Sequence, residues 1–263
     1  MGCAALWINL PNWSKRSRSL PLAVRLQVNQ TVSLFHYYEL NVQLRMNYLP
    51  TVTRISALLF ILALAAVHAL DRTVDSNWQP ISDFALGDWG WLLRLALLML
   101  GTTFLSLGVD TLVSQRGWVI KIGAVLLLVA ALGNFTGSLF NTDPVGTKPE
   151  DMTTSGQIHA ASAGLLGFMI LATIFYTLHV VRSGKGTKRW YLLTATLLLW
   201  VAEISLVVTM ASMLSKTEGM ITRETPFGWH GRVLLVLCAG WGVVCSVALN
   251  RSSSASSAVA HNH

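Results

Sequence analysis

The sequence contains few charged residues: Asp, Glu, Lys and Arg together make up only 12% of its 263 positions. A soluble domain carries about twice that fraction, so the composition excludes an ordinary soluble enzyme or binding domain. Cysteine is also scarce, and Cys238 and Cys245 lie about two helical turns apart, too far for a disulfide. No Gly-rich phosphate loop follows a strand pattern, and the basic residues are scattered. We therefore expect no nucleic-acid partner.

Long apolar runs dominate the remainder, with 53% hydrophobic residues and a mean hydropathy of +0.54. About 20 helical residues cross a ~30 Å hydrocarbon core, and the first run is shorter than that. Only helices satisfy every backbone group of such segments in lipid. The predicted fold is therefore all-α, a polytopic membrane bundle of six transmembrane helices. The predicted spans are Ile55–Leu70, Trp91–Val109, Trp118–Phe140, Ile158–Val181, Trp190–Leu214 and Val233–Leu249.

The basic residues predict the orientation of the bundle. The short loop 182–189 holds four of them, and Arg116, Lys121 and Arg251 fall on the same side of the six spans. Because short basic loops stay in the cytoplasm, we expect both termini to be cytoplasmic, in the inner membrane of a prokaryote. Nine acidic residues fall in loops on the opposite, outward side. They are Asp71, Asp75, Asp83, Asp88, Asp143, Glu150, Asp151, Glu218 and Glu224.

The two ends of the chain differ from its middle. Residues 1–45 are basic and show no clear amphipathic period, so we predict that they are disordered or that the native protein starts at Met46. A basic segment on the membrane surface is the alternative. Residues 50–250 form the predicted transmembrane domain. The Ser- and Ala-rich tail, residues 251–263, is predicted to be disordered.

Three polar residues fall within predicted spans at similar depth. Counting ~1.5 Å per residue places His68, Asn134 and Glu203 in one layer of the outward half. An ionisable group at that depth is costly unless it is paired. The layer is either a site that handles protons or a substrate, or a structural hydrogen-bond clamp.

The outward loops carry the other candidate residues. Pro80 and Gly87 bound a predicted short helix, whose apolar spacing favours a position along the membrane surface. An outer-face polar site is expected from six side chains: Ser82, Asp83, Asp143, His159, His230 and Arg232.

Three members of this site are acceptable zinc ligands. Asp143, His159 and His230 together leave a fourth position for water, which is the composition of a catalytic zinc site. The alternative is that these residues are helix caps and loop hydrogen bonds, since Asp143 before Pro144 is also a favourable turn residue.

Three short motifs resemble one known family. They are Pro80-Ile-Ser-Asp83, Phe140-Asn-Thr-Asp-Pro-Val-Gly146 followed by Gly156-Gln-Ile-His159, and Gly228-Trp-His-Gly-Arg232. In order and position they resemble domain-of-unknown-function family 998, over about residues 50–250. The family pattern often has proline where Asn141 stands here. The resemblance implies six membrane helices, but it does not indicate any particular activity.

Three functions are compatible with this pattern. The first is lipid or partner binding through the outer face, which needs no special chemistry. The second is a metal-dependent intramembrane hydrolase that acts on a lipid. The third is a proton-coupled transporter that uses Glu203, although no proline breaks a predicted span in mid-membrane. The sequence does not indicate whether the protein is a monomer or an oligomer.

Overall fold

The computed structural model describes residues 48–183, 187–217 and 221–249, and the single positions 21 and 31. The chain divides into a unit of residues 1–47 and a unit of residues 48–263. Apart from positions 21 and 31, the predictions for residues 1–45, for a start at Met46 and for the tail 251–263 lie outside the described residues.

The described part of the second unit is helical and contains no strand. Two short 3₁₀ helices, Ile81–Leu86 and Pro149–Asp151, lie in its loops. The α-helices are α1 (Leu49–Leu70), α2 (Gly90–Ser114), α3 (Trp118–Leu139), α4 (Thr154–Leu165), α5 (Gly167–Ser183), α6 (Thr187–Thr217) and α7 (Phe227–Leu249). Helices α4 and α5 follow one another directly and form one span, Thr154–Arg182, so the helices supply six candidate membrane spans. The predicted all-α, six-span architecture is confirmed: this is a multi-pass integral membrane protein.

The structure corrects the start of two predicted spans. Helix α1 begins at Leu49 instead of Ile55 and has 22 residues, so it is long enough to cross a bilayer. Helix α7 begins at Phe227 instead of Val233. In both helices the added turns contain polar side chains that bond inside the bundle, so hydropathy alone assigns them to loops.

The helices pack in a ring. Helix α2 lies between α1 and α3, α5 contacts α3 and α6, and α7 packs against α6, α1 and α2. In the most apolar stretches of α2 and α7, 56% of the residues are buried, whereas in that of α6 only 11% are buried. Helices α1 and α7, which bear on the site below, are thus direct neighbours.

Hydrogen bonds between polar side chains tie the spans together. Thr53 pairs with Ser106 at 2.8 Å between α1 and α2, and the hydroxyl of Tyr176 on α5 donates to Thr111 of α2 at 2.9 Å. Such bonds satisfy polar groups that lipid cannot.

One end of the bundle carries the two longest described loops. Residues 71–89 join α1 to α2, and residues 140–153 join α3 to α4; with residues 221–226 before α7 they form what we call the acidic end. The predicted short helix is present, as the 3₁₀ helix between Pro80 and Gly87. Phe84 and Ala85 are only 1% and 8% exposed, however, so this helix packs these two residues into the bundle and does not lay them on the membrane surface.

Candidate functional site

The first turn of α7 holds the loop between α1 and α2. The backbone N–H of Gly228 donates to the carbonyl of Asn77 at 3.3 Å, and the indole N–H of Trp229 donates to the Asn77 side-chain oxygen at 3.2 Å. A Cβ at position 228 would overlap the backbone oxygen of Ser76. The loop and α7 thus meet backbone to backbone, as only glycine permits.

One turn further along α7, Arg232 is buried, with 3% of its surface exposed. Its Nε donates to His68 Nε2 at 2.7 Å, and its Nη1 donates to the backbone oxygens of Gln79 and Gly228, each at 2.8 Å. Its Nη2 is buried and has no hydrogen-bond partner in the described part of the chain. The three acceptors are neutral, so no directly bonded carboxylate balances the guanidinium charge.

His68 and Phe84 complete the surroundings of Arg232. His68 Nδ1 lies 2.7 Å from the carbonyl of Leu64, and because a carbonyl only accepts, Nδ1 carries the proton and Nε2 accepts from Arg232. The Phe84 ring lies 4.7 Å from the His68 ring between centroids, and the Arg232 Cζ lies 5.4 Å from the Phe84 centroid. The arrangement joins α1, the loop and α7 through one neutral imidazole and one cation–π contact.

Asp83, in the same 3₁₀ helix as Phe84, is a buried carboxylate, 5% exposed. Its Oδ2 accepts from the Gln79 side-chain amide at 3.0 Å, whereas its buried Oδ1 has no hydrogen-bond partner among the described residues. Burial raises the pKa of Asp83 above its ordinary value. The Gln79 amide, the charge of Arg232 and the facing backbone N–H of Val145 act on this pKa in the opposite direction.

A cavity of about 390 Å³ opens beside Asp83. Its walls come from the two loops of the acidic end, and within the described chain Asp83 is its one charged lining residue. This volume lies in the usual range of small-molecule sites. The lining residues are Thr73, Val74, Gln79, Asp83, Leu86, Gly87, Pro144 and Val145.

The three sequence motifs therefore converge at this cavity. The first supplies Asp83, and the second supplies Pro144 and Val145. The third supplies Arg232, which lies behind Gln79 and interacts electrostatically with Asp83. Of the predicted outer-face set, Asp83 and Arg232 are brought together, and Ser82 is half-buried in the adjoining 3₁₀ helix.

Asp143 and Thr153 fix the loop that precedes α4. The Asp143 carboxylate accepts from the backbone N–H and the hydroxyl of Thr153, both at 2.8 Å. The Thr153 hydroxyl in turn caps α4 by accepting from the Gly156 backbone N–H at 3.0 Å. A Cβ at position 156 would overlap the Asp143 carboxylate, which explains the glycine there.

The two candidate zinc-ligand histidines also bond the backbone. His159 Nδ1 donates to the carbonyl of Phe140 at 2.8 Å, and His230 Nδ1 donates to the carbonyl of Pro226 at 2.5 Å. His230 Nε2 faces the Thr209 hydroxyl of α6 at 3.4 Å. In the described chain no three His, Cys, Asp or Glu side chains lie close enough together to hold a metal ion. The zinc site stays a prediction from the sequence.

Replacement of Asp143 by alanine separates the two interpretations of this residue. We expect a loss of about 1–3 kcal/mol in stability, because Thr153 at the start of α4 loses both of its hydrogen bonds to the half-buried Asp143 carboxylate. Asp151→Ala, at an exposed position in the same loop, is the control. Thermal melting and elemental analysis of untagged protein provide the measurement. Stoichiometric zinc that disappears with Asp143→Ala and His159→Ala, without loss of fold, would contradict the capping role.

The predicted intramembrane layer does not form a single network among the described residues. His68 uses both ring nitrogens for Leu64 and Arg232, and the Asn134 amide donates to Ala130 of its own helix at 2.9 Å. Glu203 is half-buried on α6, and the hydrogen bonds of the described residues do not join it to His68 or Asn134. It is not among the lining residues of the cavity.

The pairing of Arg232 with His68 and Gln79 is the feature that sequence reasoning missed. Part of its signal was present: Arg232 lies five residues inside α7 and His68 two residues before the end of α1, so both polar side chains lie near the same end of their helices. Polar side chains near the same end of neighbouring membrane helices are candidates for a hydrogen bond between them.

Comparison with known proteins gives one match. No curated protein and no solved structure matches the chain. A family model described as "Protein of unknown function (DUF998)" matches residues 55–248. This match includes four spans completely, most of the first and last spans, and the three motifs around the cavity, in agreement with the resemblance in the sequence. The chain belongs to the DUF998 family.

Proposed function

We propose that this membrane protein binds the head group of a lipid in the cavity at its acidic end. The observation that carries the proposal is the Asp83 carboxylate, which is 5% exposed, lines the cavity and has an oxygen without a partner among the described residues. Leaving such an oxygen unpaired costs about 1–3 kcal/mol, and more for a charged group. A ligand that donates a hydrogen bond to Asp83 recovers that cost.

The composition of the cavity favours an amphiphile over a purely polar solute. Four of its eight lining residues are apolar: Val74, Leu86, Pro144 and Val145. A head group joined to an apolar body matches a wall of this mixed chemistry.

The position of the cavity favours a lipid in particular. It lies at the level where α1 ends and α2 begins, and Trp89 and Trp91, shortly after Gly87 of the lining, are 38% and 56% exposed. Exposed tryptophans at helix ends are typical of the membrane–water interface. This is the level at which lipid head groups lie, which supports a lipid as the ligand.

Blocking the cavity tests this function without any assumption about the head group. Val145→Trp places an indole in the lining, whereas Asn141→Trp adds the same side chain at an exposed position of the same loop, outside the lining. The probe is an equal mixture of phosphatidylethanolamine, phosphatidylglycerol and phosphatidylcholine, added to the protein in mild detergent and analysed by native mass spectrometry.

We expect wild type and Asn141→Trp to retain one lipid under collisional activation that strips the others, and Val145→Trp to lose it. Equal retention by all three proteins, each folded by thermal melting, would refute binding in this cavity.

A further inference from the structure

We infer that the cavity selects a primary ammonium group, which donates a hydrogen bond to Asp83. This inference rests on the proposed function and names the chemistry of its ligand.

The charges buried at the acidic end are unbalanced. Among the described residues, the buried Asp, Glu, Lys and Arg side chains are Asp71, Asp83 and Arg232, with 5%, 5% and 3% of their surfaces exposed. Two carboxylates thus accompany one guanidinium, and His68 is neutral by its hydrogen bonds. A buried anion is stabilised by a nearby cation, so a positively charged ligand restores the balance.

Asp71 brings the second negative charge to the cavity wall. Its Oδ1 accepts from the Thr73 backbone N–H at 3.0 Å and from the Thr73 hydroxyl at 2.5 Å, and Thr73 lines the cavity. Its Oδ2 is buried without a hydrogen-bond partner in the described chain, against Gly87, where a Cβ would overlap it. Asp71 also follows the last residue of α1, where the helix dipole adds further negative potential.

Arg232 does not remove this demand for a cation. Its hydrogen bonds go to His68 and to two backbone oxygens, and it lies behind Gln79 instead of in the lining. Within the described chain, no Lys or Arg lines the cavity. Next to Asp83 the wall therefore favours a cation over an anion, so the ammonium end of a head group lies at Asp83 and any phosphate lies further from it.

The lining favours an organic cation over a metal ion. Calcium and magnesium take six or more oxygen ligands, whereas this wall offers one carboxylate, one amide, one hydroxyl and four apolar side chains. An ammonium group on a carbon chain can pair with the carboxylate while its carbon atoms contact the apolar side chains.

A primary ammonium also satisfies Asp83 where a quaternary one does not. A primary ammonium has three N–H donors and can hydrogen-bond to the Asp83 carboxylate that lines the cavity, whereas a trimethylated nitrogen has no N–H to donate. A charge-assisted hydrogen bond corresponds to a preference of about 10- to 100-fold.

The experiment compares lipids that differ only in methylation of the head-group nitrogen. Phosphatidylethanolamine competes with its mono-, di- and trimethylated forms for the cavity of the wild type, measured by native mass spectrometry. The same series is repeated on Asp83→Asn and on Asp88→Asn, which alters an exposed carboxylate of the same loop. Ethanolamine alone, and calcium or magnesium alone, are tested by thermal melting.

In the wild type and in Asp88→Asn, we expect the trimethylated lipid to be retained about 10- to 100-fold less than phosphatidylethanolamine. In Asp83→Asn, we expect the retention of the lipid not to depend on methylation of its nitrogen. Stabilisation by ethanolamine alone that is present in the wild type and Asp88→Asn but absent in Asp83→Asn also supports the inference and makes a soluble amine the source of the ammonium. The methylation series on the wild type decides the matter even if Asp83→Asn does not fold.

Two results overturn the inference. One is a wild type that retains all four lipids equally. The other is a stabilisation by calcium or magnesium alone that depends on Asp83. If Val145→Trp nevertheless loses its lipid, the proposed function stands and only the ammonium selection fails; if Val145→Trp retains it, both fail.

Discussion

Replacement of Arg232 by methionine is expected to be the most damaging single change at the acidic end. Methionine keeps the apolar stem but leaves His68 Nε2 and the oxygens of Gln79 and Gly228 without their donor. A buried polar group that loses a partner costs about 1–3 kcal/mol, so the loss of three bonds is expected to cost at least about 3 kcal/mol in total. In a domain of this size that corresponds to a fall in Tm of roughly 10 °C, measured by thermal melting in detergent.

Two further variants make this prediction specific. Arg94→Met removes a guanidinium that is exposed on α2 near the same end of the bundle, and we expect it to change Tm little. Arg232→Lys keeps the charge, but one ammonium cannot reproduce the planar set of donors, so we expect it to recover only part of the loss. Equal Tm values for Arg232→Met and Arg94→Met would contradict the anchoring role of Arg232.

Replacement of Gly228 by alanine is expected to separate α7 from the loop it holds. A Cβ there would overlap the backbone oxygen of Ser76 and lie 2.8 Å from that of Gln79. Backbone atoms cannot rotate away as side chains do, so the helix or the loop must move. Such overpacking costs about 1–3 kcal/mol and would also displace the Gln79 wall of the cavity.

Gly231 provides the matched control for this change. It lies three residues further along α7, and a Cβ there meets nothing within 4 Å. Both substitutions gain the same helix propensity, so the difference in Tm between Gly228→Ala and Gly231→Ala isolates the close contact. Two variants of equal stability would show that α7 does not pack against the loop in this way.

Much of the fold follows from hydropathy, and its errors have one cause. The six spans were predicted because lipid demands long apolar helices. The start of α7 was placed six residues too late because His230 and Arg232 resemble loop residues in a hydropathy profile. In the structure their polar groups bond Pro226, His68 and Gln79, so the helix continues through them.

The candidate site was harder to predict, because depth along a helix does not give direction around it. Counting residues placed His68, Asn134 and Glu203 at one height. In the structure the Asn134 side chain bonds its own helix, whereas His68 bonds Arg232, 164 positions away in the chain. The direction in which a side chain points around the helix axis relative to other helices is set by how the helices pack. That packing cannot be read from the residues of one helix alone.

The cavity itself has no signature in the sequence. Asp83 was identified as a polar candidate from its motif, but its burial depends on α7 and on Val145 of the loop that precedes α4. The unpaired oxygen of Asp83, which carries the proposed function, is visible only when these three segments are placed together.

The most direct test of the account is a crystal structure of the protein grown from a lipidic mesophase doped with phosphatidylethanolamine. Lipid binding at this site predicts head-group density in the cavity among Thr73, Asp83 and Val145, with the ammonium nitrogen about 3 Å from an oxygen of the Asp83 carboxylate. Lipid density confined to the apolar faces of the helices, with the cavity closed by the loop that precedes α4, would contradict it.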